Sequence, residues 1–110
     1  MLFLVEMCGT EASVLPPAQE TALIRETFEQ IASGRDQRIK ACHPYVGERA
    51  CALLIEATSP EELQETLMTL PCYRLVSMDT HCVGTARSVV DMLRKVEQRM
   101  GAMPAHSGRN

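Results

Sequence analysis

The sequence predicts an α+β domain, and three observations predict it. Four apolar or alternating runs of strand length occur near residues 1–8, 35–46, 47–57 and 72–83. Two stretches with apolar residues at helical spacing separate them, and the elements follow the order strand, helix, strand, strand, helix, strand. At 110 residues and 12.2 kDa there is room for one core and two layers of structure.

The first run, "MLFLVEMC", places Phe3, Val5 and Met7 on one side and Leu2, Leu4, Glu6 and Cys8 on the other. Both sides are largely apolar, which predicts a central strand. It carries no basic leader and is interrupted by Glu6, so it reads as neither a signal peptide nor a membrane span, and a cytoplasmic location is expected. After the loop chemistry of "GTEASVLPP", Pro17 suits a first helical turn. Leu23, Ile24, Phe28 and Ile31 recur at helical spacing until Ser33-Gly34 stops the helix.

"RDQRIKACHPYV" and "GERACALLIEA" read as two strands joined by a tight turn at Gly47-Glu48. Pro44 cannot donate to a ladder, so the first of the two is expected at a sheet edge. Ser59 is a natural N-cap for the next helix, with Pro60 at its first position and Glu62 three residues after the cap. Leu63, Leu67 and Leu70 form its apolar stripe, and Pro71 biases Leu70 away from helical dihedrals. The chain then enters "CYRLVSMDTHCV", where Tyr73, Leu75, Ser77, Asp79 and His81 are expected on one strand face.

This order is the split βαβ unit of a ferredoxin-like sheet, predicted to occupy residues 1–84. Residues 85–103 form an additional C-terminal helix, with Ala86, Val89, Leu93, Val96 and Met100 in a seven-residue pattern for little more than two repeats. Residues 104–110 are expected to be a disordered tail. Right-handed crossovers put the first two helices on one side of the sheet, leaving the other side bare. Leu2, Leu4 and Leu75 are expected there, an apolar surface that needs cover. Either the third helix folds back or a second copy packs sheet against sheet. Glu6, Ser77, Asp79 and His81 on the same surface favour the second copy, because they suit a lined cavity better than a helix-packing face.

Composition excludes several functions. Eleven basic side chains are dispersed among fourteen acidic ones, for a net charge of −3, with no basic patch for nucleic acid. Five cysteines, an odd number without a C-x-x-C pair, suit buried thiols in a reducing compartment. Cys42-His43 and His81-Cys82 are neighbours on strands and point to opposite faces, so no metal site is expected. Neither a phosphate-binding glycine loop nor a nucleophile motif is present, and no cofactor is expected.

"MLFLVEM", "SPEELQETLMTLP" and "YRLVSMDTH" together resemble the muconolactone delta-isomerase family of the dimeric α+β barrel superfamily, over about residues 1–83. The resemblance implies a ferredoxin-like fold, two sheets packed into a barrel between subunits, and often rings of dimers. It also implies a cofactor-free proton shift in an unsaturated lactone of aromatic catabolism. The chain departs from the family at His43-Pro44, where the isomerases have a Trp-Arg pair, and at Leu4 and Glu6, where they have basic or histidine side chains. The family's acidic alternation in the last strand is represented here by Ser77, Asp79 and His81.

Such a proton shift needs a base beside a conjugated carbonyl system and an acid to return the proton. Glu6, Asp79 and His81 are the candidates, since the first and last strands are neighbours in a ferredoxin-like sheet. Arg38 and Lys40 are candidates for neutralising a carboxylate substrate, and His43, Tyr73 and Ser77 for lining its pocket. The sequence is therefore read as an isomerase-like protein that binds a small lactone or acidic organic molecule and self-associates as a homodimer or larger ring. Two other readings remain: a non-catalytic oligomeric ligand-binding protein, and a cofactor-free monooxygenase of the same superfamily.

Overall fold

A computed structural model describes residues 1–10 and 14–101; the expected tail at 104–110 and the last residues of the expected C-terminal helix lie outside the described residues. The elements are β1 (Leu2–Gly9), α1 (Pro17–Ala32), β2 (Ile39–Pro44), β3 (Ala50–Glu56), α2 (Pro60–Met68), a 3-10 turn (Tyr73–Leu75), β4 (Val76–Val83) and α3 (Ala86–Gly101). The strands form one antiparallel sheet in the order β2-β3-β1-β4. This is the ferredoxin-like arrangement, with β1 central and β2 at an edge, where Pro44 costs no ladder bond.

Alternation along the strands divides the sheet into two faces. Phe3, Val5 and Met7 of β1 and Cys51, Leu53 and Ile55 of β3 are buried toward the helices. Leu63, Leu67 and Leu70 close the core from α2, while Ile24, Phe28 and Ile31 pack against it from α1. Thr27, 1 % exposed, is a polar exception with two bonds: its hydroxyl donates to the Leu23 carbonyl at 2.8 Å and accepts from the Cys72 amide at 2.9 Å. It thereby satisfies a backbone N–H that has left α2 and not yet entered β4.

The ends of the helices follow from single residues. Gly34, at φ 68°, takes the left-handed position after α1 and donates its amide to the Ile31 carbonyl. At α2 the Ser59 hydroxyl accepts from the Glu62 amide at 3.1 Å, and the Glu62 carboxylate accepts from the Thr58 amide at 3.0 Å. The connection between β2 and β3 is longer than a two-residue turn: it runs from Tyr45 to Arg49 with Gly47 at φ 81°.

The stretch after α2 differs from expectation. Tyr73–Leu75 is a 3-10 turn, and β4 starts at Val76, opposite Gly9. The reason is ladder length: β1 ends at Gly9, so residues before Val76 have no strand to pair with. Instead the Tyr73 amide bonds the Leu70 carbonyl and the Leu75 amide bonds the Cys72 carbonyl. Leu75 consequently enters the core at 5 % exposure rather than the bare face. Two of the five cysteines also depart from the buried pattern, Cys8 and Cys82 being exposed.

α3 does not fold back over the sheet: none of its residues is buried. The molecule measures 68 Å along its long axis and 28 by 24 Å across. No helix among the described residues is long and apolar enough to cross a membrane.

Candidate functional site

Strand register fixes what shares the bare face. Reading across from β2 to β4, one row is Tyr45, Ala50, Cys8 and Ser77, as the bond from the Tyr45 amide to the Ala50 carbonyl extends the ladder by one position. The next row is His43, Ala52, Glu6 and Asp79. A third is Ala41, Leu54, Leu4 and His81, and beyond it Glu56, Leu2 and Val83 face one another. The face is therefore polar at the β1 C-terminal end, while the other end carries Leu4, Leu54, Leu2 and Val83 with His81 and Glu56 at its edges.

Glu6 and Asp79 sit directly opposite each other, where antiparallel pairing holds Cβ atoms about 4.5–5.5 Å apart. His81 is two residues further along β4, and its Nε2 lies 3.3 Å from Asp79 Oδ2, an exposed pair with 59 % and 71 % of the two side chains accessible. Glu6 has a second partner that sequence reasoning missed. The Tyr45 hydroxyl donates to Glu6 Oε2 at 2.6 Å. It reaches β1 from just beyond the end of β2 because the intervening positions on β3, Ala50 and Ala52, have no bulk to block it. Those two alanines were the available signal. The neighbouring Glu6 carboxylate, through this hydrogen bond, pushes the Tyr45 phenol up to about 12.

The structure thus brings together Glu6, Asp79 and His81, with Ser77 and His43 on the same face. The Ser77 hydroxyl points back to the Cys8 carbonyl at 3.4 Å. It does not bring in Tyr73, Arg38 or Lys40. Tyr73 lies in the 3-10 turn beside α2, where its hydroxyl accepts from the Gln64 side chain at 2.9 Å. Arg38 precedes β2 at the Glu56 end of the sheet, and its guanidinium is held by both oxygens of Asp36 at 2.9 and 2.8 Å. That pairing keeps the Asp36 carboxyl below the ordinary value and the Arg38 guanidinium above it. Lys40 falls on the irregularity between Ile39 and Ala41, which breaks the alternation that would have matched it to Arg38.

A separate cavity of about 230 Å³ opens on the helix side of the sheet. Met7, Ile24, Phe28, Cys51 and Leu75 are among its walls, with Arg49 at its edge. Arg49 is tied to Glu20 of α1 at 2.6 Å, and burial pushes the Cys51 thiol up to about 12. This space is largely apolar, with Glu48 and Arg49 among its lining residues, so it can hold a small molecule. Among the described residues no group of three or more His, Cys, Asp or Glu side chains could hold a metal ion.

No protein-family model and no curated protein sequence matches the chain. Solved structures do match: a muconolactone isomerase crystal structure aligns over 100 % of both chains at 21 % identity with a TM-score of 0.67. The chain has the muconolactone isomerase fold. Because the alignment is complete, that likeness extends through α3. A second structure with this fold is the 5-chloro-2-hydroxyhydroquinone dehydrochlorinase of Burkholderia phenoliruptrix AC1100 in complex with 2,5-dihydroxybenzoquinone. It covers 80 % of this chain and is itself covered over 98 %, at 17 % identity and a TM-score of 0.57. The muconolactone isomerase fold hosts different ring chemistries in these two proteins, so the reaction has to be argued from this chain's side chains.

Proposed function

We propose that the bare sheet face is the reaction site of a cofactor-free isomerase that shifts a proton in a small unsaturated lactone or related acidic organic molecule. The observation that carries this reading is the polar cluster of Tyr45, Glu6, Asp79 and His81 across three adjacent rows: two carboxylates in register, one held by a phenol at 2.6 Å and the other by an imidazole at 3.3 Å. A carbon acid beside a carbonyl needs a fixed base and a proton donor a few ångströms away. One carboxylate of the pair takes the proton, His81 donates one at the second carbon, and the carboxyl hydrogen then passes to the imidazole by way of Asp79, 3.3 Å from it, restoring the starting state, while the apolar side chains of Leu4 and Leu54 seat the hydrocarbon part of the ring. A second copy laid over this face, as a homodimer, excludes water from the transfer and strengthens the electrostatics within it. The muconolactone isomerase and dehydrochlorinase likenesses support small oxygenated rings as the substrate class.

The test is turnover of muconolactone by the purified chain, followed by the change in conjugated absorbance. Glu6→Gln and His81→Asn each lower kcat by about 10²–10⁴-fold with an unchanged circular dichroism spectrum. Absence of any rate above solvent-catalysed exchange in the wild-type chain rules out this substrate, and full activity in both variants rules out the site.

The apolar cavity on the helix side favours a second reading, ligand binding without chemistry. Binding of a dihydroxybenzoquinone that is abolished by Ile24→Trp, which fills the cavity, and unaffected by Glu6→Gln would select it.

A further inference from the structure

We infer that Cys42, Cys51 and Met7 form a binding site for one soft monovalent cation, copper(I), on the helix side of the sheet. The site lies on the opposite face from the proposed reaction site, and the inference does not rest on that reading. Strand register gathers the sulfurs. Met7 stands opposite Cys51 across β1 and β3, and Met78 stands opposite Met7 across β1 and β4, so sulfur side chains follow one another along a single row. Cys42 of the edge strand pairs with Leu53, two residues from Cys51 on the same side of β3, and its thiol is hydrogen-bonded to that of Cys51. Met7 and Cys51 are each 3 % exposed, while Cys42 is half-buried. The cavity of about 230 Å³ has Met7, Cys51 and Cys72 in its wall, and a second hollow of about 420 Å³ has Cys42 in its own. Both are also lined by Phe28 and Pro44, so an ion has a path to the thiol pair from the edge of the sheet.

The donor set selects the ion. Two thiolates and a thioether are soft ligands, which favour copper(I) over the oxygen-seeking cations. Structural zinc needs a closed tetrahedral set, and among the described residues no third Cys, His, Asp or Glu joins this pair. Copper(I) needs no such set, because a thiolate pair with a thioether at its side already satisfies it. A disulfide is the competing use of two thiols. It holds Cα atoms about 4.4–6.8 Å apart, whereas diagonal neighbours on an antiparallel pair stand about 7–8 Å apart. The two sulfurs can therefore meet at a shared ion without the backbone movement that a direct bond requires. Burial pushes both thiols above their ordinary value, so each carries its proton at neutral pH. The ion displaces both protons to solvent, and the negative charge left on the complex lies beside half-buried Cys42, within reach of water.

The test is an anaerobic titration of the reduced, full-length chain with copper(I) held by a chromogenic copper(I) chelator. The expected result is uptake of one ion per chain, with sulfur as the only ligand atom in the X-ray absorption spectrum. Cys42→Ser removes a direct ligand and lowers the affinity by more than about 100-fold, beyond the 10–100-fold cost of losing an outer partner. Met7→Leu keeps the volume, so the fold is retained while the sulfur count at the ion falls by one. The double variant Cys8→Ser, Cys82→Ser, altered only at exposed thiols, binds as the natural chain does. Should Cys42→Ser lose its native circular dichroism, the sulfur count in Met7→Leu decides. Three results would each overturn the inference: no uptake against the chelator, nitrogen or oxygen ligands at the ion, or uptake that survives in folded Cys42→Ser and is lost with Cys8 and Cys82. None of these readouts depends on turnover.

Discussion

Leu53 and Leu54 are adjacent, identical in chemistry and opposite in fate. Leu53 points toward the helices and is fully buried, whereas Leu54 points to the bare face and stays half-exposed beside Leu4. The same period-2 alternation runs through β1, where Val5 is at 0 % and Leu4 at 37 % exposure. One face holds the fold together and the other is left uncovered in the single chain. The difference lies in what covers each face, since the strands are apolar on both.

The largest predicted effect follows from that difference. Leu53→Ala removes buried methyl groups from a packed core and should cost about 2–5 kcal/mol in denaturant unfolding. Leu54→Ala, at concentrations where the chain is a monomer, should cost under about 1 kcal/mol. Equal costs for the two would mean that the bare face is covered even in a single chain. Thr27→Val comes next: it keeps the volume but leaves the buried Cys72 amide without its acceptor, for a loss of about 1–3 kcal/mol. Thr27→Ser, which retains the hydroxyl, should recover most of it. Ser59→Ala follows, at about 1 kcal/mol, through the amide it caps at Glu62. Both are read from the same denaturation curves.

The buried face was legible in the sequence because its signals are local. Capping at Ser59, the Gly34 stop, the edge proline at Pro44 and the alternation in β1 each depend on a few neighbouring residues, and each is seen as expected. Glu6 and Asp79 were also readable as a pair, because the strand order alone makes β1 and β4 neighbours. What was misread depended on distant geometry. Tyr73 and Leu75 alternate like a strand, yet β1 is too short to pair with them. Arg38 is held away by Asp36, two residues earlier, at the far end of the sheet from Glu6. Tyr45 became a candidate only once the register put two alanines between it and Glu6. A face with no cover has weak local signatures, since its side chains answer to cross-strand neighbours and partners rather than to their own element.

The smallest effect is a titration, and it tests the bare face without touching stability much. Tyr45 loses its proton against the charge of Glu6, and its phenol is raised from 10.0 to about 12. A folded-state value above the unfolded one contributes stability that is fully present below pH 10 and fades as pH rises through about 12. Glu6→Gln removes the charge and keeps a hydrogen-bond acceptor, so the Tyr45 transition should move down toward 10. Tyrosinate absorbance measures this, with Tyr45→Phe identifying which transition belongs to Tyr45. If Glu6→Gln leaves the transition in place, then the phenol is not bonded to Glu6, and the polar row that distinguishes this face from the buried one is not formed.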